Sequence, residues 1–139
     1  MENVRLEKSE RADRLTFYLK NETKHSIYVS YLPPEPGNST TKFLSYTLEK
    51  RADGGQFKSY GEGFHFIPSL NPLEAKRMVE FTIIYPPKER GEYRIMVGYC
   101  DDETAFRLMR EKGSNLTDEE VKQVNSFQRI VRSDVFEVR

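Results

Sequence analysis

The chain has 139 residues, enough for a single domain over 1–139 that buries roughly 68% of the surface its unfolded form exposes and needs no disulfide or metal staple. Lysine plus arginine and aspartate plus glutamate each number 22, interleaved as in "KSERADR" and "PPKERGEYR", so no single-sign field exists to draw in nucleic acid or an anionic membrane. Cys100 is the only cysteine, no apolar run approaches the ~18 residues of a membrane span, and "MENVRLEKSERADR" lacks an export core. The chain therefore reads as cytoplasmic, although a mature secreted or periplasmic form given a new Met would read the same.

Period-two alternation dominates from the N-terminus. "NVRLE" reads as a short first strand. "RLTFYLK" sets Leu15, Phe17 and Leu19 on one face, "NETKHS" supplies a turn, and "IYVSYL" aligns Ile27, Val29 and Tyr31; together they predict a hairpin. "PPEPGNSTT" cannot be a central strand because proline has no N–H to donate, so a crossing loop is expected. "KFLSYTLEKR" turns Leu44, Tyr46 and Leu48 inward, and "ADGG" predicts a type I′ turn into "QFKSY". "GEGFHFIPSLNPLEA" reads as a short strand and a proline-marked corner, and "KRMVEFTIIYP" places Val79, Phe81, Ile83 and Tyr85 on one face. "GEYRIMVGYC" stacks Tyr93, Ile95, Val97 and Tyr99 opposite Arg94, Met96 and Gly98, and "SDVFEVR" closes the chain with Phe136 and Val138 inward.

Between these last two strands, over about 102–127, the period becomes helical. Gly113 stands where a helix C-terminus wants glycine. Thr117 is an N-cap whose partner Glu120 closes a capping box, and Leu116 and Val121 occupy staple positions. Val121, Val124 and Phe127 form the stripe expected to pack on the strands. The expected architecture is all-β, an antiparallel sandwich of roughly seven to nine strands with a helical insertion before the last strand.

The stretches "LTFYLKNET", "SLNPLEA" and "GEYRIMV" resemble strand B, the turn before strand E, and strand F of bacterial immunoglobulin-like and fibronectin-III-like domains. Tyr93 matches the tyrosine-corner position, which predicts that its hydroxyl reaches a backbone carbonyl in the preceding turn; Ile95 stands where an antibody domain carries its second cysteine. The chain has no tryptophan, so Phe or Tyr must replace the aromatic plug of antibody domains. The order "YTLEKRADGGQF", "LNPLEA", "GEYRIMV" is also similar to the bacterial intracellular proteinase inhibitor family. That likeness implies inhibition by a presented loop such as "LPPEPGNSTT".

Enzymatic and metal chemistry find little footing. Blue copper needs two His, a Cys and a Met, but the chain holds only His25 and His65, and none follows Cys100 before Met109. Zinc lacks a second cysteine or a His pair at ligand spacing, and a Cys100–His65 pair would have to bridge different strands. Asp101, Asp102 and Glu103 could be read as calcium ligands, yet Asp102 and Glu103 better suit a helix N-terminus. Gly61 and Gly63 lack the lysine and strand-to-helix context of a phosphate loop. The triplets at Asn21, Asn38 and Asn115 read as turn and cap residues before glycan sites. No catalytic, cofactor or metal residue is assigned. The sequence reads as a non-enzymatic module that binds a protein partner, through the exposed face of the insertion (Arg107, Arg110, Glu119, Lys122, Gln123) and outward tyrosines (Tyr18, Tyr28, and Tyr60 less clearly). A loop-presenting peptidase inhibitor and a carbohydrate-binding module stacking sugars on those tyrosines are the alternatives.

Overall fold

The computed structural model describes residues 3–10, 15–41, 43–60 and 70–139. Among these, the strands β1 (Val4–Lys8), β2 (Thr16–Asn21), β3 (Ile27–Ser30), β4 (Thr47–Arg51), β5 (Phe57–Ser59), β6 (Leu70–Leu73), β7 (Met78–Thr82) and β8 (Gly91–Cys100) come first. The helices α1 (Glu103–Lys112) and α2 (Asp118–Ser126) follow, then β9 (Gln128–Arg132) and β10 (Phe136–Val138). β1, β2 and β7 make one antiparallel sheet; β3 to β6 and β8 to β10 make the other. Alternate residues of each sheet face the other. Leu6, Phe17, Leu19, Val79 and Phe81 meet Val29, Leu48, Tyr93, Ile95, Val97 and Phe136 in one apolar core.

β8 organises the larger sheet because both of its edges are hydrogen-bonded. Along one edge its first half pairs with β4 and its last two residues with β3; along the other, β10 pairs with its start and β9 with its end. Between β9 and β10 one extra residue enters the ladder: Arg132 lies opposite Met96, yet Phe136 lies opposite Tyr93. This is a β-bulge, and it keeps both Val131 and Phe136 pointing at the core. The buried Ser133 repairs the interrupted ladder. Its N–H donates to Ile95 O at 2.9 Å, and its hydroxyl accepts the Ile95 N–H at 3.0 Å.

Several expectations need correction. β2 and β3 are not a hairpin: β2 pairs with β1 and β7, and β3 with β6 and β8, so 22–26 cross from one sheet to the other. Fully buried Asn21 holds that crossing. Its amide donates to the carbonyls of His25, Leu73 and Glu74, and its side-chain oxygen accepts from Thr23, which accords with the turn reading of this triplet. The β4–β5 turn is not type I′, which requires left-handed φ at Asp53 as well. Only Gly54 and Gly55 take positive φ there, in a longer loop closed by Ala52 and Gln56. Tyr85 leaves the inward row because β7 ends at Thr82, and it is 69% exposed. β9 was not anticipated, so the helices precede the second-last strand and not the last. The segment 61–69, with Gly61, Gly63 and His65, lies outside the described residues; only the Leu70–Leu73 end of that stretch is seen as a strand. The loop after Tyr31 does cross over: Ser39 and Thr41 bond to Glu80 and cover the outer edge of β7.

Tyr93 behaves as the corner position predicts. Fully buried between Phe136 and Tyr60, it donates its hydroxyl proton to Glu89 O at 2.8 Å, in the turn before β8. Lys50 caps the arrangement, lying over the Tyr60 and Tyr93 rings and bonding to Glu89 at 2.9 Å. Tyr93→Phe is expected to cost about 0.5–1.5 kcal/mol, the net worth of one hydrogen bond, read from urea unfolding. Ser133→Ala is expected to cost more, about 1–3 kcal/mol, because it strands the buried Ile95 N–H. Equal unfolding midpoints for the wild type and either variant would refute the corresponding assignment.

Candidate functional site

The helical insertion folds by local rules. Asp102 caps α1 by accepting from Ala105 N–H at 2.8 Å, and Glu103 adds negative charge to its first turn. Cys-Asp-Asp-Glu is thus the end of β8 and the start of a helix. Gly113, at φ 55°, ends α1 in the left-handed region. Thr117 and Glu120 form the expected reciprocal capping box, with bonds of 2.9 and 3.2 Å. Lys112 then bonds to Glu120 at 2.6 Å and ties the end of α1 to the start of α2. The pair of helices is the connection of a β-hairpin: Cys100 lies opposite Gln128 at its base.

The insertion covers the outer face of the larger sheet at the C-terminal end of β8. Tyr28, Cys100, Ala105, Phe106 and Val124 form a second apolar cluster there, with Leu108, Met109, Leu116 and Phe127 packed around it. Phe106 stacks on Tyr28 with ring centroids 4.1 Å apart and planes 11° from parallel, which contributes about 0.5–1.5 kcal/mol beyond burial. Tyr28 is therefore on the outer face, as read, but only 7% exposed, and burial followed by the nearby Glu103 raises its phenol pKa. Val121 stands outside the packing stripe at 40% exposed; the stripe is centred on Val124. Cys100 is fully buried. Its thiol donates to Asp102 O at 3.5 Å, and burial pushes its pKa up. Among the described residues no group of three His, Cys, Asp or Glu side chains is placed to hold a metal ion, and no helix is long and apolar enough to cross a membrane.

Where α1 meets β3 and β6, an open groove of about 810 Å³ remains. Tyr28, Pro72 and Glu74 line its sheet side, and Phe106, Arg107 and Arg110 its helix side. Arg107 is paired with Glu103 at 2.9 Å, one turn away. Arg110 lies over the Phe106 ring at 5.9 Å and has no ion-pair partner among the described residues. Three of the sequence candidates, Tyr28, Arg107 and Arg110, thus converge. Glu119, Lys122 and Gln123 are exposed on α2 and do not line this groove. Tyr18 is on the outer face of the smaller sheet, opposite Glu7 and Glu80, so it cannot share a platform with Tyr28. Tyr60 is half-buried against Tyr93. Phe106 was missed as a site residue, although the apolar row Ala105, Phe106, Leu108 and Met109 marks the packed side of α1.

No protein-family model, curated protein or solved structure matches the chain.

Because Cys100 is fully buried in the cluster that it shares with Tyr28 and Phe106, it is expected to react with a thiol reagent only as fast as the insertion opens. Phe106→Ala, which takes the largest α1 side chain out of that cluster, is expected to accelerate labelling by at least ~10-fold at neutral pH while the sheets stay folded. Rapid labelling of the wild type, or equal rates in the two proteins, would contradict this packing.

Proposed function

We propose that the chain is a non-enzymatic, immunoglobulin-like β-sandwich module that binds a protein partner in the groove between α1 and the β3–β6 pair. The two facing sheets and the corner hydrogen bond of Tyr93 support the fold type. One observation carries the function. An arginine without an ion-pair partner among the described residues, Arg110, stands over a stacked aromatic pair at the edge of an open groove, the combination of cation and aromatic surface that concentrates binding energy in protein interfaces. The surrounding charges are mixed: Glu103 is already matched to Arg107, and Glu74 and Glu111 border the same space. Such a rim suits a partner of mixed charge.

A second reading concerns the loop after β3. Leu32 is exposed next to Pro33, and the loop base is tied by Leu32 N–H to Phe43 O at 3.0 Å and by the Thr41 hydroxyl to Leu32 O. An exposed loop tied at its base is what a peptidase inhibitor would present. Resistance of the loop to cleavage together with inhibition in a protease panel would support it. The separation of Tyr18 from Tyr28 leaves the sugar-binding reading without a single tyrosine platform.

The groove is tested by placing a photo-crosslinking residue at Glu111, which borders it, and separately at Lys122 on α2, in cells of the source organism. Discrete protein adducts from position 111, suppressed by Arg110→Glu and absent from position 122, are expected. Adducts from both positions alike, or from neither, would overturn the groove as the binding site.

A further inference from the structure

Most strand edges of the described chain carry a device against further pairing. β1 bears Arg5, Glu7 and Lys8; Ser39 and Thr41 cover β7; β6 contains Pro72; β5 and β10 are three residues long. β9 is different. It has five residues, no proline and no lysine, and its arginines are drawn onto their own chain. Arg132 Nε lies 3.2 Å from Glu49, and Arg129 Nε lies 3.2 Å from Asp101. Ile130, between them, is 55% exposed.

The hydrogen-bond phase of β9 can be read from its ends. Asp101 N–H donates to Phe127 O at 3.2 Å, and Ser133 N–H to Ile95 O at 2.9 Å, in the register that sets Gly98 opposite Ile130. Antiparallel pairs alternate between bonded and non-bonded, so Gly98–Ile130 is a non-bonded pair. The N–H and C=O of Gln128, Ile130 and Arg132 therefore point away from β8. Consistently, the Gln128 carbonyl accepts from Arg129 Nη1 at 3.0 Å. β1, at the edge of the facing sheet, runs close to β9 but is bonded to β2 and not to it. Among the described residues, no strand pairs with the outer edge of β9.

We propose that β9 pairs antiparallel with β9 of a second copy, across a twofold axis at Ile130. The segment Gln128-Arg129-Ile130-Val131-Arg132 is complementary to its own reverse. Ile130 meets Ile130 in a reciprocally bonded pair, Arg129 meets Val131, and Gln128 meets Arg132, so no arginine directly opposes another. The amide of Gln128 faces a guanidinium in this register, and the larger sheet continues through both copies. The bulge at Ser133 bounds the paired segment on one side and the end of α2 bounds it on the other.

Sedimentation equilibrium up to millimolar protein is expected to show a reversible monomer–dimer equilibrium. Ile130→Pro removes the outward donor without touching the β8 ladder and is expected to raise the dimer Kd at least ~10-fold. Ile130→Lys, which sets two ammonium groups opposite each other, is expected to do the same should the proline variant fail to fold. Amide exchange supplies a site-specific readout: the Ile130 N–H is expected to gain protection as concentration rises, while the Val131 N–H, bonded to β8, is protected throughout. A wild type monomeric at millimolar concentration, a dimer that survives the folded variants, or Ile130 exchange independent of concentration would each overturn the proposal.

Discussion

The backbone of β8 must satisfy two full rows of donors and acceptors inside the molecule, and the arrangement of the larger sheet follows from how that is done. No single strand matches its ten residues, so each edge is divided, between β4 and β3 on one side and β10 and β9 on the other. The division has a cost at each seam. On one side the chain detours through the loop after Tyr31, which closes the edge of the opposite sheet on its way. On the other, the seam is a bulge, and the Ser133 hydroxyl stands in for the missing ladder partner of Ile95.

The same strand explains where the helices lie. β8 and β9 are consecutive members of a hairpin, and hairpins are ordinarily joined by a few residues. Here the joint is a pair of capped helices whose apolar side must be buried, and the nearest uncovered apolar surface is the outer face of the hairpin's own sheet, at Tyr28 and Cys100. Stacking Phe106 on Tyr28 settles α1 onto that face and leaves a groove along its margin. The candidate binding site is thus a consequence of how the insertion is covered, and Arg110 reaches it because it lies one turn beyond Phe106 on the same helix.

Charge in this molecule is mostly spent locally. Glu49 accepts from both Arg94, at 2.8 Å, and Arg132, at 3.2 Å, on the outer face of the larger sheet. Lys20 is matched to Glu7 at 2.9 Å, and Lys50 to Glu89 at 2.9 Å. Exposed pairs such as Lys50–Glu89 add little stability, whereas Glu49 is a buried carboxylate held by two arginines. Their effect is to shorten long-range fields, consistent with the balanced composition; Arg110 stands apart because it lies over an aromatic ring without the ion pair that the other ring-stacked cations of the described residues have.

Local physics is legible in the residues alone. The alternation of Tyr93, Ile95 and Val97, the caps at Asp102 and Thr117, and the stop at Gly113 depend on neighbours within a few positions, and each is realised as read. Asn21 also reads as a turn residue, but its three carbonyl partners include two from the distant end of β6. Which strand pairs with which is another matter. Phe17 with Leu19, and Ile27 with Val29, have identical periods, and nothing within either segment says that they belong to different sheets; pairing with β7 and β8 decides that. β9 escaped notice because its side chains are mostly solvent-facing and show no clear alternation, its strand state arising from bonds to β8. The exposure of Tyr28 was equally undecidable from its position on an outer face. Only the docking of α1, which depends on Phe106 finding that ring across a long stretch of chain, converts an outward tyrosine into the buried floor of a groove.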